Sequence, residues 1–195
     1  MKPHAQEAIE LLSKLIAIPS LSKEEEGTAT VVFDWLNAKG FDAQRQGNNI
    51  WAWAAERDAN KPTILLNSHH DTVKPGNNWT YDPFQPTIEG DKLIGLGSND
   101  AGASAVALLQ VFCQLAQKEQ PYNLVVAITA EEEISGVNGV SSILEKLGHI
   151  DLGIVGEPTQ MQMAIAERGL LVLDCYVKGQ TGYAARKEGS NAIYK

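Results

Sequence analysis

Apolar positions recur at two spacings along this chain, and each spacing predicts a different element. Apolar residues three or four positions apart predict amphipathic helices, and short apolar runs between turn residues predict strands. Helices are predicted over residues 5–17, from about 24 to 39, over about 101–118 and through 143–147. Strands are predicted near 42–46 and 50–55, at 63–66, 123–129 and 152–155, and at 170–178. Strands that alternate with helices are typical of βαβ units, so we expect an α/β fold with a largely parallel sheet and flanking helices.

The start of the second helix carries a run of acidic residues. Ser22 and Glu25 have the spacing of a capping box, in which each side chain bonds a backbone N–H at the helix start. We interpret the run Glu24–Glu26 as favourable negative charge at a helix N-terminus and not as a ligand cluster.

A polar stretch, Ser68–Val73, follows the strand at 63–66. Side chains alternate along an extended chain, so His69 and Asp71 should point to one side and His70 to the other. Asp71 could then hold one ring nitrogen of His69 and leave the other free for a metal ion. This geometry favours His69 over His70 as the ligand, although a His-Asp pair taken alone is more typical of a structural hydrogen bond.

Asp100 closes a glycine-rich turn before the third predicted helix. Gly95-x-Gly97-x-x-Asp100 resembles a dinucleotide fingerprint whose last glycine is replaced by an acid. A carboxylate at a helix N-terminus repels a phosphate but suits a metal ion. Taken alone, the simpler interpretation of Asp100 is an N-cap, because aspartate is among the residues preferred there.

Two further apolar strands end in carboxylates. Glu131, Glu132 and Glu133 follow one of them and Glu157 follows the other. Adjacent carboxylates repel one another, so they are either solvated or face a cation. Because ligands collect at the carboxyl edge of parallel strands, His69, Glu132 or Glu133, and Glu157 are expected to converge there. One imidazole with several carboxylates suits zinc, with cobalt or manganese as alternatives.

Composition narrows the classes of function. The net charge of −8 over 195 residues argues against nucleic-acid or anionic-membrane partners. Cys113 and Cys175 form no metal-type spacing and suggest a reducing compartment. The sequence shows no signal-peptide pattern and no apolar run long enough to span a bilayer, so we expect a soluble, cytoplasmic protein.

Four motifs, taken together, resemble those of a known enzyme family, the dinuclear-zinc amidohydrolases and metallopeptidases. The motifs are His69-x-Asp71-Thr72-Val73, Gly95-x-Gly97-x-x-Asp100, Glu132-Glu133 and Gly156-Glu157-Pro158-Thr159. The family includes acetylornithine deacetylase, succinyl-diaminopimelate desuccinylase, aminoacylase and glutamate carboxypeptidase. The tail from Gly182 onward looks most like the acetylornithine deacetylase branch, which acts in arginine synthesis.

The resemblance implies a set of metal ligands. His69, Asp100 and Glu157 would bind a first zinc ion. Asp100 would bridge to a second ion, which Glu133 would also bind.

The resemblance also implies a reaction and a domain plan. Asp71 would orient His69, and Glu132 would be the general base toward a bridging water. The substrate would be a small N-acyl amino acid or dipeptide whose amide bond is hydrolysed, and the full-length family implies a homodimer. Residues 1–167 would form the metal-binding catalytic portion, and residues 168–195 would begin a lid or dimerisation domain of α+β type with its first strand.

Two departures from the family pattern give a second hypothesis. Tyr183 stands where the family carries a histidine that stabilises the oxyanion, and the chain stops at Lys195 before the family's last histidine ligand. The second metal site would then keep only Asp100 and Glu133, as in a C-terminally truncated, inactive metal-binding remnant. Two further hypotheses are a dipeptidase or carboxypeptidase of the same family and a dinucleotide-binding module built on Gly95-x-Gly97.

Overall fold

The chain divides into two compact units, residues 1–161 and residues 162–195. The computed structural model describes residues 2–166, 169, 171, 173, 175–182, 189 and 192. The predicted strand at 170–178 lies partly outside the described residues, and Tyr183 lies wholly outside them. In the described part of the chain, no helix combines the length and the hydrophobicity needed to cross a membrane.

The first unit contains helices on both faces of a central sheet. Its helices are α1 (Pro3–Ile16), α2 (Glu26–Ala38), α3 (Ser104–Leu115) and α4 (Leu144–Leu147). Its strands are β1 (Gln44–Gln46), β2 (Asn49–Trp53), β3 (Thr63–His69), β4 (Thr87–Glu89), β5 (Lys92–Ile94), β6 (Asn123–Thr129) and β7 (Leu152–Val155). Strands β4 and β5 form a separate two-stranded sheet.

The central sheet has the strand order β1-β2-β6-β3-β7. Strands β6, β3 and β7 are parallel, whereas β2 pairs antiparallel with both β1 and β6. The predicted α/β class is confirmed, but the sheet is mixed rather than largely parallel. A tight turn through Gly47, whose φ is 57°, joins β1 and β2 in a hairpin, which is necessarily antiparallel. Strand β2 also pairs antiparallel with β6, a contact between residues far apart in the chain.

Successive residues of the central strands bury their side chains on opposite faces of the sheet. Leu66 and Val126 pack on one face with α1, α2 and α3, while Leu65 and Val125 pack on the other with Leu147 of α4. Packing on both faces therefore buries most side chains of β3 and β6. Strand β7 lies at one edge of this sheet, and its apolar side chains, including Leu152 and Val155, are exposed.

The prediction of a capping box at the start of the second helix is wrong. Helix α2 begins at Glu26, and no side chain caps it. The hydroxyl of Ser22 instead donates to Oδ2 of Asp71 at 2.8 Å. Glu25 is fully buried, so its carboxylate is not simply a favourable charge at an exposed helix end.

Candidate metal centre

The carboxyl ends of three parallel strands bring the predicted site residues to one edge of the sheet. In the register of these strands, His69 of β3 pairs with Thr129 of β6, and Asn67 of β3 pairs with Val155 of β7. The residues that follow β6 and β7 therefore flank the end of β3. This arrangement places Glu132 and Glu157 on either side of His69.

The imidazole of His69 is buried, and both of its nitrogens face acidic groups. Its Nδ1 lies 3.2 Å from Oδ1 and 3.1 Å from the backbone carbonyl oxygen of Asp71. Its Nε2 lies 3.2 Å from Oδ1 of Asp100, 3.7 Å from Oε2 of Glu157 and 3.9 Å from Oε2 of Glu132. The Nδ1–H group thus donates to Asp71, and Nε2 points into a cluster of carboxylates that come from three different segments.

His70 lies on the opposite side of the chain, away from this cluster. Its Nε2 is 2.8 Å from the backbone carbonyl oxygen of Asn48, and its Nδ1 is 2.8 Å from the hydroxyl of Thr28. Burial lowers the pKa of His70, so the ring is neutral near pH 7. Because a carbonyl oxygen only accepts, Nε2 carries the proton and Nδ1 accepts from Thr28. His70 therefore has a structural role, and both of its nitrogens are already bonded.

The carboxylate of Asp71 is completely buried, and hydrogen bonds satisfy both of its oxygens. Besides His69 and Ser22, it accepts the backbone N–H of Glu132 at 3.0 Å and that of Glu133 at 3.2 Å. Burial by itself would raise the pKa of Asp71, but the hydrogen bonds outweigh burial and lower it. A charged Asp71 therefore connects the ring of His69 to the turn that carries Glu132 and Glu133.

Asp100 lies in an irregular turn, Ser98–Ala103, that precedes α3. Helix α3 begins at Ser104, and neither the turn nor the helix has a side-chain cap. The N-cap interpretation of Asp100 is therefore wrong. Its side chain is about half exposed and points instead toward Nε2 of His69.

The glycines before Asp100 are explained by close packing. A Cβ atom on Gly95 would overlap the side chain of Ile16. Gly97 has a φ of 73°, and a Cβ atom there would lie 2.6 Å from Cγ2 of Thr72. Both glycines are thus required by the fold without any phosphate, so they do not by themselves support a dinucleotide site.

Electrostatics of the cluster favour a cation. Burial, together with the neighbouring carboxylates, raises the pKa of Glu132, and the positive charge of His69 only partly opposes this. The pKa of Glu133 is raised by burial and by Asp100. Burial disfavours the charged ring of His69, but hydrogen bonds to Asp71 and Glu157 outweigh it and raise its pKa to about 11. The metal-free cluster therefore holds a proton on His69 that a bound metal ion would replace.

The donor set fits a divalent metal ion. One nitrogen of His69 and one carboxylate oxygen each from Asp100 and Glu157 all lie within 4.8 Å of one another. Nitrogen and oxygen donors of this kind suit zinc, and the hydrogen bond from Nδ1 to Asp71 is the usual support of a ligating imidazole. A cleft open to solvent lies in front of His69, Glu132 and Glu157.

Several contacts in this region carry no recognisable signal in the sequence. Ser22 bonds Asp71, and the buried carboxylate of Glu25 bonds the backbone of Glu131. The Glu131 side chain turns away from the cluster and bonds Asn138 at 2.9 Å. The contacts of Ser22 and Glu25 join segments that are distant in the chain, so periodicity and short motifs do not predict them.

The family model for peptidase family M20/M25/M40 matches residues 65–182, which is more than half of the 195 residues. The match begins in β3 and includes His69 and every carboxylate that surrounds it. The chain belongs to this family.

Solved structures resemble this M20-family chain in fold. Human carnosine dipeptidase 1 is 21% identical, with a TM-score of 0.62 over 79% of this chain and 39% of that one. The M20 family metallo-carboxypeptidase Sso-CP2 from Sulfolobus solfataricus is 27% identical, with a TM-score of 0.62 over 80% of this chain and 37% of that one. The YXEP protein of Bacillus subtilis, a dinuclear metal binding peptidase, is 19% identical, with a TM-score of 0.59 over 79% of this chain and 43% of that one. The chain thus spans about two fifths of the length of these structures.

Proposed function

We propose that this chain is the metal-binding part of a hydrolase that cleaves the amide bond of a small N-acyl amino acid or dipeptide. The observation that carries the proposal is the environment of His69. Its Nδ1 is held by the buried Asp71, while its Nε2 faces Asp100, Glu132 and Glu157 within 3.9 Å. Membership of the M20 family supports the same class of reaction.

The resemblance to the family assigns a role to each residue, and the grouping of His69, Asp100 and Glu157 supports the first part of this assignment. His69, Asp100 and Glu157 would hold a first zinc ion, and Glu133 would hold a second ion together with Asp100. When bound, zinc polarises a substrate carbonyl and lowers the pKa of a coordinated water toward neutrality.

Glu132 is the residue best placed to move the proton. Its carboxylate opens onto the cleft beside His69, and its raised pKa brings it closer to the pH at which a general base exchanges protons. Glu132 would accept the proton of the attacking water and pass it to the leaving nitrogen. The products would be a free amine and a carboxylate.

Two substrate classes follow from two observations. The motifs from Gly182 onward support an N-acetyl amino acid such as N-acetylornithine, and with it a role in arginine synthesis. The solved structures favour peptides, because those named above are a dipeptidase, a metallo-carboxypeptidase and a metal-binding peptidase. We propose the N-acyl amino acid as the first substrate to assay and the dipeptide as the second.

Metal content and hydrolysis measured on the same purified sample test the proposal. Zinc content per chain would be determined after purification, followed by assays with N-acetylornithine and with a β-alanyl-histidine dipeptide, with zinc or cobalt added. We expect about one zinc ion or more per chain and turnover of one of the two substrates. Bound zinc without turnover of either would support the inactive remnant, and a folded protein that binds no metal would overturn the proposal.

A further inference from the structure

The turn that carries Glu132 and Glu133 is held in place by side chains from elsewhere in the fold. Four consecutive backbone N–H groups of this turn donate to side-chain oxygens rather than to a neighbouring strand or helix. The N–H groups of residues 130–133 donate, in order, to Asn49 Oδ1 at 3.0 Å, Glu25 Oε1 at 3.2 Å, Asp71 Oδ1 at 3.0 Å and Asp71 Oδ2 at 3.2 Å. The conformation of the turn therefore depends on these acceptors.

The turn is not a conformation that the chain adopts by itself. Glu131 has a φ of 55° and Ser135 a φ of 47°, both in the left-handed region that residues other than glycine rarely occupy. Such a conformation persists only where the surrounding structure determines it. The left-handed Glu131 directs its own side chain toward Asn138, and the two residues that follow it lie beside His69 and Asp100.

Glu25 is one of these acceptors, and it is not used by the chemistry proposed above. Its side chain is fully buried at the residue before α2. Besides the N–H of Glu131, it accepts the N–H of Lys23 at 2.7 Å and the Nδ2 amide group of Asn48 at 2.8 Å. A buried carboxylate is tolerated only when it is hydrogen-bonded, so these three donors fix its position.

We infer that Glu25 is a positioning residue for the metal centre, which fixes the Glu131 backbone and through it the carboxylates of Glu132 and Glu133. The inference rests on the proposed function, because it assigns a role relative to that centre. Glu25 accepts the N–H of Glu131, and Asp71 accepts the next two N–H groups along the turn. Glu25 and Asp71, two buried carboxylates from different segments, thus hold the backbone of the same turn. Asp71 also contacts His69.

Three variants of the full chain test this role. Glu25→Ala removes all three acceptor contacts, whereas Glu25→Gln keeps one oxygen that can still accept the N–H of Glu131. Glu26→Ala is the matched control, because Glu26 is the exposed neighbour on the same helix start. Amide hydrogen exchange of Glu131 in the metal-free protein would be measured by NMR, together with the exchange of the amides in β6. The visible absorption spectrum of added Co²⁺ would be recorded for each variant.

For Glu25→Ala we expect the exchange rate of the Glu131 amide to rise about tenfold or more, because a charge-assisted hydrogen bond is lost. The amides of β6 should exchange as in the unmodified chain, and the cobalt bands should shift or weaken. In Glu25→Gln the exchange rate of the Glu131 amide and the cobalt bands should both stay close to those of the unmodified chain. Glu26→Ala should change neither quantity.

Three results would overturn the inference. The first is a Glu131 amide that exchanges at the same rate in Glu25→Ala as in the unmodified chain. The second is an exchange rate that rises equally for Glu131 and for the amides of β6. The third is a Glu25→Ala variant that binds cobalt with an unaltered absorption spectrum. If the unmodified chain gives no cobalt spectrum, the proposed function fails instead. The exchange measurement then still decides whether Glu25 fixes the turn.

Discussion

The carboxylate of Asp71 lies 3.2 Å from Nδ1 of His69, and this contact determines which ring nitrogen faces the acidic cluster. With Nδ1–H donated to Asp71, Nε2 is directed at Asp100 and Glu157. The same carboxylate accepts the backbone N–H groups of Glu132 and Glu133. One buried group therefore aligns a candidate ligand from β3 with the turn after β6.

Replacing Asp71 with asparagine should weaken metal binding while the fold is kept. The Asp71→Asn side chain has the same shape, but one of its oxygens becomes an NH₂ group that cannot accept the N–H of Glu132 or Glu133. It also no longer stabilises a charged or strongly polarised His69. We expect zinc affinity, measured by competition with a chromophoric chelator, to fall about 10–100-fold, as is usual when the partner of a ligating histidine is lost.

Asp34→Asn is the control for that change of charge, because Asp34 is an exposed carboxylate on α2. It should bind zinc as the unmodified chain does. Equal zinc affinity in Asp71→Asn and Asp34→Asn would show that Asp71 does not support the site.

The two adjacent histidines should respond in opposite ways to the same substitution. His69→Gln removes the nitrogen that faces Asp100 and Glu157, so zinc binding should be lost, with an affinity decrease of more than about 100-fold. His70→Gln leaves the cluster intact but disturbs the buried contacts to Thr28 and Asn48. It should lower the free energy of unfolding by about 1–3 kcal/mol and keep the zinc stoichiometry.

Zinc stoichiometry and denaturant unfolding on both variants check this pair of expectations. His149→Gln, at an exposed histidine, should change neither quantity. The assignment of His69 as a ligand is refuted if His69→Gln retains full zinc affinity.

The elements and the strand-end positions could be predicted because they depend on local pattern. The runs around Leu65 and Val126 are apolar between turn residues, and the polar residues that follow them must lie at the strand ends. The direction in which β2 pairs with β6 could not be predicted, because this antiparallel contact joins residues far apart in the chain.

The same limit explains the errors at the helix starts. Ser22 and Glu25 match a capping box locally, yet their side chains bond groups 49 and 106 residues away. Tertiary partners outweighed the local capping preference at both positions. Asp100 likewise fits an N-cap locally, and only the fold places it 3.2 Å from His69.

Gly102 supports the turn that carries Asp100, and alanine there should be destabilising. A Cβ atom on Gly102 would lie 2.5 Å from the backbone carbonyl oxygen of Gly97, which cannot move without shifting Asp100. We expect Gly102→Ala to lower the free energy of unfolding by about 1–3 kcal/mol and to weaken zinc binding as well. Gly76→Ala is the control, because a Cβ atom there meets nothing within 4 Å. Urea unfolding and zinc titration of both variants test the expectation, which is wrong if the two variants behave alike.

Metal binding should release a proton, and its affinity should therefore increase with pH. In the metal-free protein the pKa of His69 is about 11, well above the ordinary value of 6.5, so its Nε2 is protonated throughout the neutral range. A metal ion can bind Nε2 only after that proton leaves. Below the raised pKa, each unit increase in pH increases the deprotonated fraction of the free protein about tenfold. The logarithm of the binding constant should therefore rise by about one per pH unit between about pH 6 and 8.

Calorimetry of zinc binding in buffers that differ in ionisation enthalpy measures the number of protons released. We expect about one proton from His69 for the zinc ion that binds there, with any further release coming from Glu132 and Glu133, whose pKa values are also raised. The number of protons released per zinc ion should increase further toward lower pH, because these carboxylates become protonated in the free protein. Zinc binding that is independent of both buffer and pH would contradict the assignment of His69 Nε2 as a ligand, because that nitrogen cannot hold a proton and a metal ion at the same time.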